Sequence, residues 1–139
     1  MKMDQQFEVS CDRDRAVELV ARQETLVSLF PDSPTEIVGR AGDRVTARTH
    51  YAALGREGIA TFHFDYLIDG SVRFEKVCDG NVWKELRGEL SFDEADAGCL
   101  VTLEMEGRTK GLVPEFTIRG PMKEQIEKMA EALRRKLEE

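Results

Sequence analysis

Residues 58–78, GIATFHFDYLIDGSVRFEKVC, carry the clearest pattern in the chain. Apolar and polar side chains alternate on both sides of Asp69-Gly70, and a period of two is typical of strands that bury one face. Aspartate and glycine tolerate the positive φ angles of a tight turn. We therefore predict a hairpin whose two antiparallel strands span residues 58–68 and 71–78.

The same alternation continues on both sides of this hairpin. Clusters of turn-forming residues, among them Asp79-Gly80-Asn81, divide the region 35–110 into six strand-like runs. Because the connections between successive runs are short, the runs favour an antiparallel meander. The four runs outside the hairpin span residues 35–40, 44–53, 82–92 and 99–108.

Other patterns precede the meander. Residues 4–10 alternate weakly and predict a first strand. Residues 13–20 and 23–30 predict two short helices, of which the first is capped by Asp12 or Ser10. Two prolines follow the second helix and end it, since proline disfavours helix in the residue before it.

A long helix is predicted near the C-terminus. Its apolar residues recur at steps of four and three, the period of an amphipathic helix, and they are Met122, Ile126, Met129, Leu133 and Leu137. Pro121 suits the first turn of this helix, where its missing N–H costs nothing. Whether residues 112–119 form an earlier helical segment that kinks at Gly120-Pro121 stays open.

The size and charge of the chain limit its class of function. A length of 139 residues predicts one domain over residues 1–139. The formal net charge of -7 weakens functions that need a broad basic surface, so we expect no nucleic-acid partner. No run approaches the roughly 20 apolar residues of a membrane-spanning helix, and the N-terminus lacks the apolar core of a signal peptide. We expect a cytoplasmic protein without stable membrane insertion.

Metal and disulfide chemistry is not expected either. The three cysteines, Cys11, Cys78 and Cys99, are far apart in the sequence, and the only histidines are His50 and His63. No Cys-x-x-Cys pair is present. The sequence therefore predicts free thiols in a reducing compartment, with no metal site and no cofactor.

The order of these elements resembles that of the START-like superfamily, also called SRPBCC, which includes polyketide cyclase/dehydrase and lipid-transport families. The resemblance covers the whole chain, and the segments 26–31, 82–86 and 98–104 fit its local marks. It implies an α+β helix-grip fold, in which a curved antiparallel sheet of about seven strands wraps around the long C-terminal helix. It also implies a cavity between sheet and helix that holds a lipid, sterol, polyketide or other apolar ligand.

Alternation indicates which side chains face that helix. We expect the inner faces of the strands and the apolar stripe of the helix to bind the ligand, with Tyr51 and Tyr66 orienting it through their hydroxyl groups. The opposite faces, which carry His63 and Asp65, are expected to be solvated. The candidate ligand-binding residues are Thr49, Tyr51, Phe62, Phe64, Tyr66, Phe74, Leu86, Leu103, Met105, Phe116, Met122, Ile126 and Met129.

The same alternation, or parity, predicts which face of the sheet the residues in and near the run 82–92 occupy. Lys76 and Lys84 interrupt apolar faces near strand ends and are expected to snorkel toward water. Trp83, the only tryptophan, falls opposite Val82 and Leu86, hence on the outer face or beneath the short helices. One β-bulge in such a long run would invert every assignment beyond it.

Binding or sequestration of a small hydrophobic ligand (lipid, isoprenoid or polyketide-like) is the function that the resemblance favours. Its gate is expected in the loops after Gly55 and Gly80, together with residues 112–120. Burial of apolar ligand surface would supply the affinity. A homodimer is the default if the chain is not a monomer.

Two alternatives stay open. The first is a polyketide cyclase, aromatase or dehydratase that uses the same cavity, favoured if Tyr51, Tyr66 or Lys76 converge there. The second is an accessory or assembly protein with a filled core and an exposed apolar patch. The sequence contains no nucleophile elbow and no phosphate-binding glycine loop, so it favours binding over catalysis.

Overall fold

The computed structural model describes residues 1–53, 56–78 and 82–139, without the side chains of residues 52, 53 and 56. The turn predicted at residues 79–81 lies outside the described residues. Gly55 and Gly80, after which two loops of the predicted gate begin, also lie outside the described residues. Within the described ranges, the elements follow the order that the sequence predicts.

The described residues contain seven strands that form one antiparallel sheet: β1 (Lys2–Val9), β2 (Thr35–Ala41), β3 (Arg44–Ala53), β4 (Arg56–Tyr66), β5 (Val72–Lys76), β6 (Trp83–Ala95) and β7 (Gly98–Thr109). The strand order is β1-β7-β6-β5-β4-β3-β2, so the six-stranded meander is confirmed and β1 joins its far edge beside β7. The predicted hairpin turn is also present. Gly70 has a φ of 90°, and the Leu67 amide donates to the Ser71 carbonyl at 2.9 Å.

Within the part of the chain that the structure describes, three helices accompany the sheet: α1 (Arg13–Val20), α2 (Gln23–Ser28) and α3 (Glu115–Glu138). The Asp12 side chain accepts a hydrogen bond from the Arg15 amide and so caps α1, as predicted. The α3 stripe is buried from Ile118 to Leu137. No helix within the described ranges is both long enough and apolar enough to cross a bilayer.

The start of α3 differs from the prediction. The helix begins at Glu115, after Pro114 at the N-cap with a φ of -64°, and it continues through Pro121 without interruption. Pro121 therefore lies inside the helix and not in its first turn. Its missing N–H leaves the Thr117 carbonyl without the usual helical donor.

Two strands contain register shifts that change which face a side chain occupies. In β2 the pairing with β3 skips Val38, between Ile37 and Gly39. In β6 the pairing with β7 skips Lys84, between Trp83 and Glu85. Because an extra residue inverts the alternation, side chains on the two sides of each bulge follow opposite parity.

We call the end of the sheet that α1 covers the packed end. Here Val20, Phe64, Leu90, Leu103 and Leu133 are at most 1% exposed. The last turn of α3 is held there by hydrogen bonds, since the Ser10 amide and hydroxyl donate to the Glu138 carboxylate at 2.6 and 2.8 Å. This end is filled by side chains, and the sheet's other end is where space remains.

Candidate functional site

A cavity of about 340 Å³ lies between the sheet and the N-terminal half of α3. We call this end of the molecule the cavity end. Most of the described lining is apolar or aromatic, with a few polar groups. The lining residues are Phe30, Ser33, Thr49, Tyr51, Glu57, Ala60, Phe62, Lys76, Val82, Trp83, Leu86, Met105, Ile118, Pro121, Met122, Gln125 and Met129.

Thr49 is the buried polar group of this lining, with 3% exposure. Its hydroxyl oxygen lies 2.8 Å from that of Thr35, which in turn lies 2.9 Å from the Ser33 carbonyl oxygen. A carbonyl only accepts, so the single Thr35 proton is donated to Ser33 and the Thr49 proton to Thr35. The Thr49 oxygen then keeps a free lone pair for a donor in the cavity.

Two aromatic rings lie close to glycines on the cavity wall. A Cβ atom at Gly58 would come within 2.7 Å of the Tyr51 hydroxyl oxygen, its partner across β3 and β4. A Cβ at Gly107 would come within 2.5 Å of Cζ3 of Trp83. The absence of these two side chains therefore lets the rings of Tyr51 and Trp83 lie close to the sheet, where they form walls of the cavity.

The α3 side of the cavity is lined largely by flexible apolar side chains. Ile118, Met122, Gln125 and Met129 follow one another at steps of four, three and four on one side of the helix. Met105 on β7 adds a third thioether. Methionine adapts its shape to an irregular contact and packs favourably against aromatic rings, so this wall suits a flat apolar guest.

Polar side chains also line the cavity. Ser33, Glu57, Lys76 and Gln125 contribute to the lining, and of these Glu57 and Gln125 are exposed. Their neighbours are apolar, so an apolar ligand with one polar end would place that end toward water or toward this group. These four side chains offer hydrogen bonds and charge, and the rest of the lining offers mainly apolar contact.

Seven of the thirteen candidate ligand-binding residues line the cavity: Thr49, Tyr51, Phe62, Leu86, Met105, Met122 and Met129. Four others are buried in the core without lining it: Phe64, Phe74, Leu103 and Ile126. They share the inner face with the lining residues, but side chains already fill the space around them. The aromatic contacts show this continuity, since Phe64 packs on Phe62 and Phe74 with ring centroids 6.4 and 5.7 Å away.

Tyr66 lies outside the cavity, although it shares the inner face of β4. Its hydroxyl donates to the Val20 carbonyl at 2.9 Å and so ties β4 to the end of α1. Burial disfavours the phenolate and raises the pKa of Tyr66 to about 12. The structure therefore gives this hydroxyl a partner within the protein, at the packed end.

Phe116 also lies outside the cavity. It sits in the first turn of α3 and is 80% exposed, while Ile118 and Met122 occupy the opposite side of the same turns. The sequence stripe does not include residue 116, and the helix turns it away from the sheet.

Trp83 corrects the parity assignment. It lines the cavity together with Leu86, although alternation had assigned the two residues to opposite faces of the strand. The cause is the bulge at Lys84, which is exposed and lies outside the cavity lining. Lys76, in contrast, lines the cavity as inner-face parity indicates.

Other lining residues carry weaker signals in the sequence. Phe30 and Ser33 belong to the segment between α2 and β2, which alternation does not describe. The Phe30 ring lies 5.1 Å from that of Phe62, centroid to centroid, so it closes the cavity over β4. Ala60 shares the inner face with Phe62, and its small side chain leaves room.

The outer face of the sheet carries a charged ladder. Arg44 donates to both carboxylate oxygens of Asp65 at 2.8 and 2.9 Å, and this guanidinium lowers the pKa of Asp65. His63 Nδ1 lies 2.9 Å from the Thr46 hydroxyl oxygen. Neither His63 nor Asp65 lines the cavity. Within the described part of the chain, no cluster of three or more candidate metal ligands occurs.

Solved structures share this architecture along nearly the whole chain. The Zhui aromatase/cyclase from Streptomyces sp. R1128 has a TM-score of 0.77 at 15% identity, covering 99% of this chain and 90% of that one. A START superfamily protein from Mycobacterium smegmatis has a TM-score of 0.77 at 17% identity, covering 99% and 97%. A STAR-related lipid transfer protein from Xanthomonas axonopodis has a TM-score of 0.71 at 16% identity, covering 99% and 86%.

No family model matches the sequence, and no curated protein matches it. At identities this low, the structural similarity establishes the fold alone. The chain has the START-like helix-grip fold that the order of its elements predicts.

Proposed function

We propose that the chain is a single START-like domain that binds a small, mainly apolar molecule between its sheet and α3. The observation that carries this proposal is the cavity of about 340 Å³ with its largely apolar lining. Burial of apolar ligand surface contributes roughly 25 cal/mol per Å². The solved structures named a START superfamily protein and a lipid transfer protein support the same kind of function.

The cavity size favours a compact ligand. An apolar cavity of about 150 Å³ accommodates benzene, so the space of about 340 Å³ suits a molecule of roughly two rings. The aromatic rings of Trp83 and Tyr51 in the lining favour a ligand that can stack on them or pack edge-to-face. Among the candidate ligand classes, a polyketide-like ring or short isoprenoid fits this space better than a whole membrane lipid.

The polar groups favour a ligand with one hydrogen-bond donor. The Thr49 hydroxyl already donates to Thr35, and its oxygen has a further lone pair for an O–H or N–H group, a hydrogen bond that contributes about 1 kcal/mol. We therefore expect a phenol or alcohol to bind more tightly than the matching ether. A second polar group near Lys76 would be tolerated.

Mass spectrometry of protein purified from its native host tests the proposal directly. We expect an excess mass under native conditions that disappears on denaturation, and fragmentation would identify the ligand class. Thermal-shift titration with 2-naphthol then provides a defined probe. Absence of a carried mass, together with no shift by 2-naphthol or a panel of other apolar compounds, would contradict the proposal.

Thr49→Val tests the donor preference. The variant should weaken 2-naphthol binding about fivefold, as expected for one net hydrogen bond of about 1 kcal/mol, and leave 2-methoxynaphthalene unchanged in calorimetry. Thr25→Val is the matched control, since Thr25 is equally buried but donates to the Leu19 carbonyl away from the cavity. Equal losses in both variants would argue against a role for Thr49.

Catalysis in the same cavity is a second candidate. Tyr51, Glu57 and Lys76 are titratable side chains of the lining, and the Zhui protein is named an aromatase/cyclase. We would assay cyclisation and dehydration of a poly-β-keto thioester. Loss of turnover in both Tyr51→Phe and Lys76→Met, with ligand binding retained, would support the enzyme.

The filled-core interaction protein is not proposed, because that reading requires side chains to occupy the space of the cavity. The proposal places the protein in a reducing compartment such as the cytoplasm. In support, the three cysteines are free, with Cys99 buried and Cys11 and Cys78 half-buried.

A further inference from the structure

Two large apolar side chains are exposed where β7 leads into α3. Leu112 is 98% exposed in the turn before the helix, and Phe116 is 80% exposed in its first turn. Neither contributes to the cavity lining or to the buried core. Exposed side chains of this size in one short segment indicate a contact surface.

Basic residues continue this surface along α3. Arg119 and Lys123 follow Phe116 at steps of three and four, which places all three on one side of the helix. Both are exposed, and Gly120 between them has no side chain and open space around it. We call Leu112, Phe116, Arg119 and Lys123 the apolar–basic patch. The stripe ends at the exposed acid Glu127.

We propose that the apolar–basic patch docks the protein on an anionic lipid bilayer. Leucine and phenylalanine side chains enter the boundary between headgroups and acyl chains, while arginine and lysine at the same depth attract anionic headgroups. The patch combines these two chemistries within the first helical turns of α3 and the turn before it. The net charge of -7 does not prevent docking, because charges more than a Debye length of about 8 Å away are largely screened. Of the acids beside the patch, Glu115 lies 3.9 Å from the N-terminal amino group and Glu124 lies 3.5 Å from Lys128 Nζ, and these cations offset their charge.

A second copy of the chain fits the patch less well. An isologous dimer through this surface would bring Arg119 and Lys123 of one copy toward the same residues of the other. Juxtaposed like charges oppose association. A bilayer offers both the apolar depth and the negative charge that the patch lacks.

Docking in this way would place the cavity next to the bilayer. Ile118 and Met122 line the cavity on the side of α3 opposite Phe116. Helix α3, about 10 Å thick, would then separate the bilayer from the bound molecule. The proposal concerns the surface alone and stands whether or not the cavity carries a ligand.

Vesicle flotation of the full chain tests it. Binding to vesicles that contain phosphatidylglycerol should exceed binding to pure phosphatidylcholine, and high salt should reduce it. Arg119→Gln with Lys123→Gln should lower the partition coefficient about 30-fold, about fivefold for each charge. Phe116→Ser should lower it more than tenfold, as expected for one buried phenylalanine.

Ile68→Ser is the matched control, because Ile68 is a fully exposed large apolar residue in the hairpin turn between β4 and β5. It should bind as the wild type does. Equal binding to both vesicle types, no vesicle binding, or unchanged binding of Phe116→Ser would overturn the proposal. So would a dimer in solution that Phe116→Ser separates, since a second copy would then occupy the patch. Native mass spectrometry of Phe116→Ser distinguishes this proposal from that of ligand binding, because the variant should still carry the ligand.

Discussion

The packed end and the cavity end share one sheet and one helix, α3. They differ in how the space between the sheet and α3 is used. At the packed end, Phe64 and Leu133 have no exposed surface. At the cavity end, Phe62 and Met129 come from the same strand and the same helix, but they line a space of about 340 Å³. Neighbouring residues of one element thus serve a core and a candidate binding site.

The difference lies in what fills the layer between sheet and α3. At the packed end α1 covers the sheet, and the Tyr66 hydroxyl holds the end of this helix. At the cavity end Gly58 and Gly107 have no side chains, and the rings of Tyr51 and Trp83 occupy the space where a Cβ would stand. Stability and binding capacity are therefore separated along the strands.

Truncation of phenylalanines should give the largest contrast. Phe64→Ala at the packed end is expected to lower the free energy of unfolding by about 3–5 kcal/mol, because it opens a new void. Phe62→Ala should cost less, since its ring already borders a cavity. Urea unfolding followed by circular dichroism measures both values. Equal losses would mean that the cavity end is as tightly packed as the packed end.

Alkaline pH should weaken the packed end through Tyr66. Its pKa of about 12 in the folded state exceeds the ordinary value of 10.0, so the unfolded chain loses this proton first. The contribution is present below pH 10 and is lost as pH rises toward 12, by at most about 1.4 kcal/mol for each pH unit. Stability measured from pH 9 to 12 should fall more steeply in the wild type than in Tyr66→Phe. Parallel curves would show that this tyrosine has no role in the loss.

Enlarging two buried alanines should give the smallest changes in stability, but the two changes should differ in sign. Ala16→Leu in α1 adds volume to a filled layer and should cost about 1–3 kcal/mol. Ala60→Leu adds the same volume to the cavity and should leave stability unchanged or raise it slightly. Thermal unfolding compares the two variants, and Ala60→Leu should also weaken 2-naphthol binding. A similar loss of stability in both would show that Ala60 has no free space beside it.

The sequence predicted the fold well because its signals are local. Alternation located the meander, Asp69-Gly70 located a hairpin, and Asp12 located the start of α1. It assigned Trp83 to the wrong face because a bulge is a property of the pairing between β6 and β7. For Trp83, the prediction lacked only the position of this extra residue in the strand.

The extent of the cavity was less predictable. Parity indicates which face a residue occupies, but it does not indicate how far along the strand the space is filled. Phe64 and Phe62 are equivalent in sequence, and only the placement of α1, α2 and Phe30 distinguishes them. The sequence left open whether a helical segment before Gly120-Pro121 joins the long helix, and the structure shows one helix from Glu115 through Pro121.

The position of Trp83 also has an optical consequence. As the only tryptophan, it supplies the indole fluorescence of the protein, and its ring forms part of the cavity wall. The packed end contains phenylalanines and Tyr66, which contribute little emission at indole wavelengths. Indole emission from the native protein therefore reports the polarity at the cavity wall, and a guest that replaces water beside the indole would shift it toward the blue.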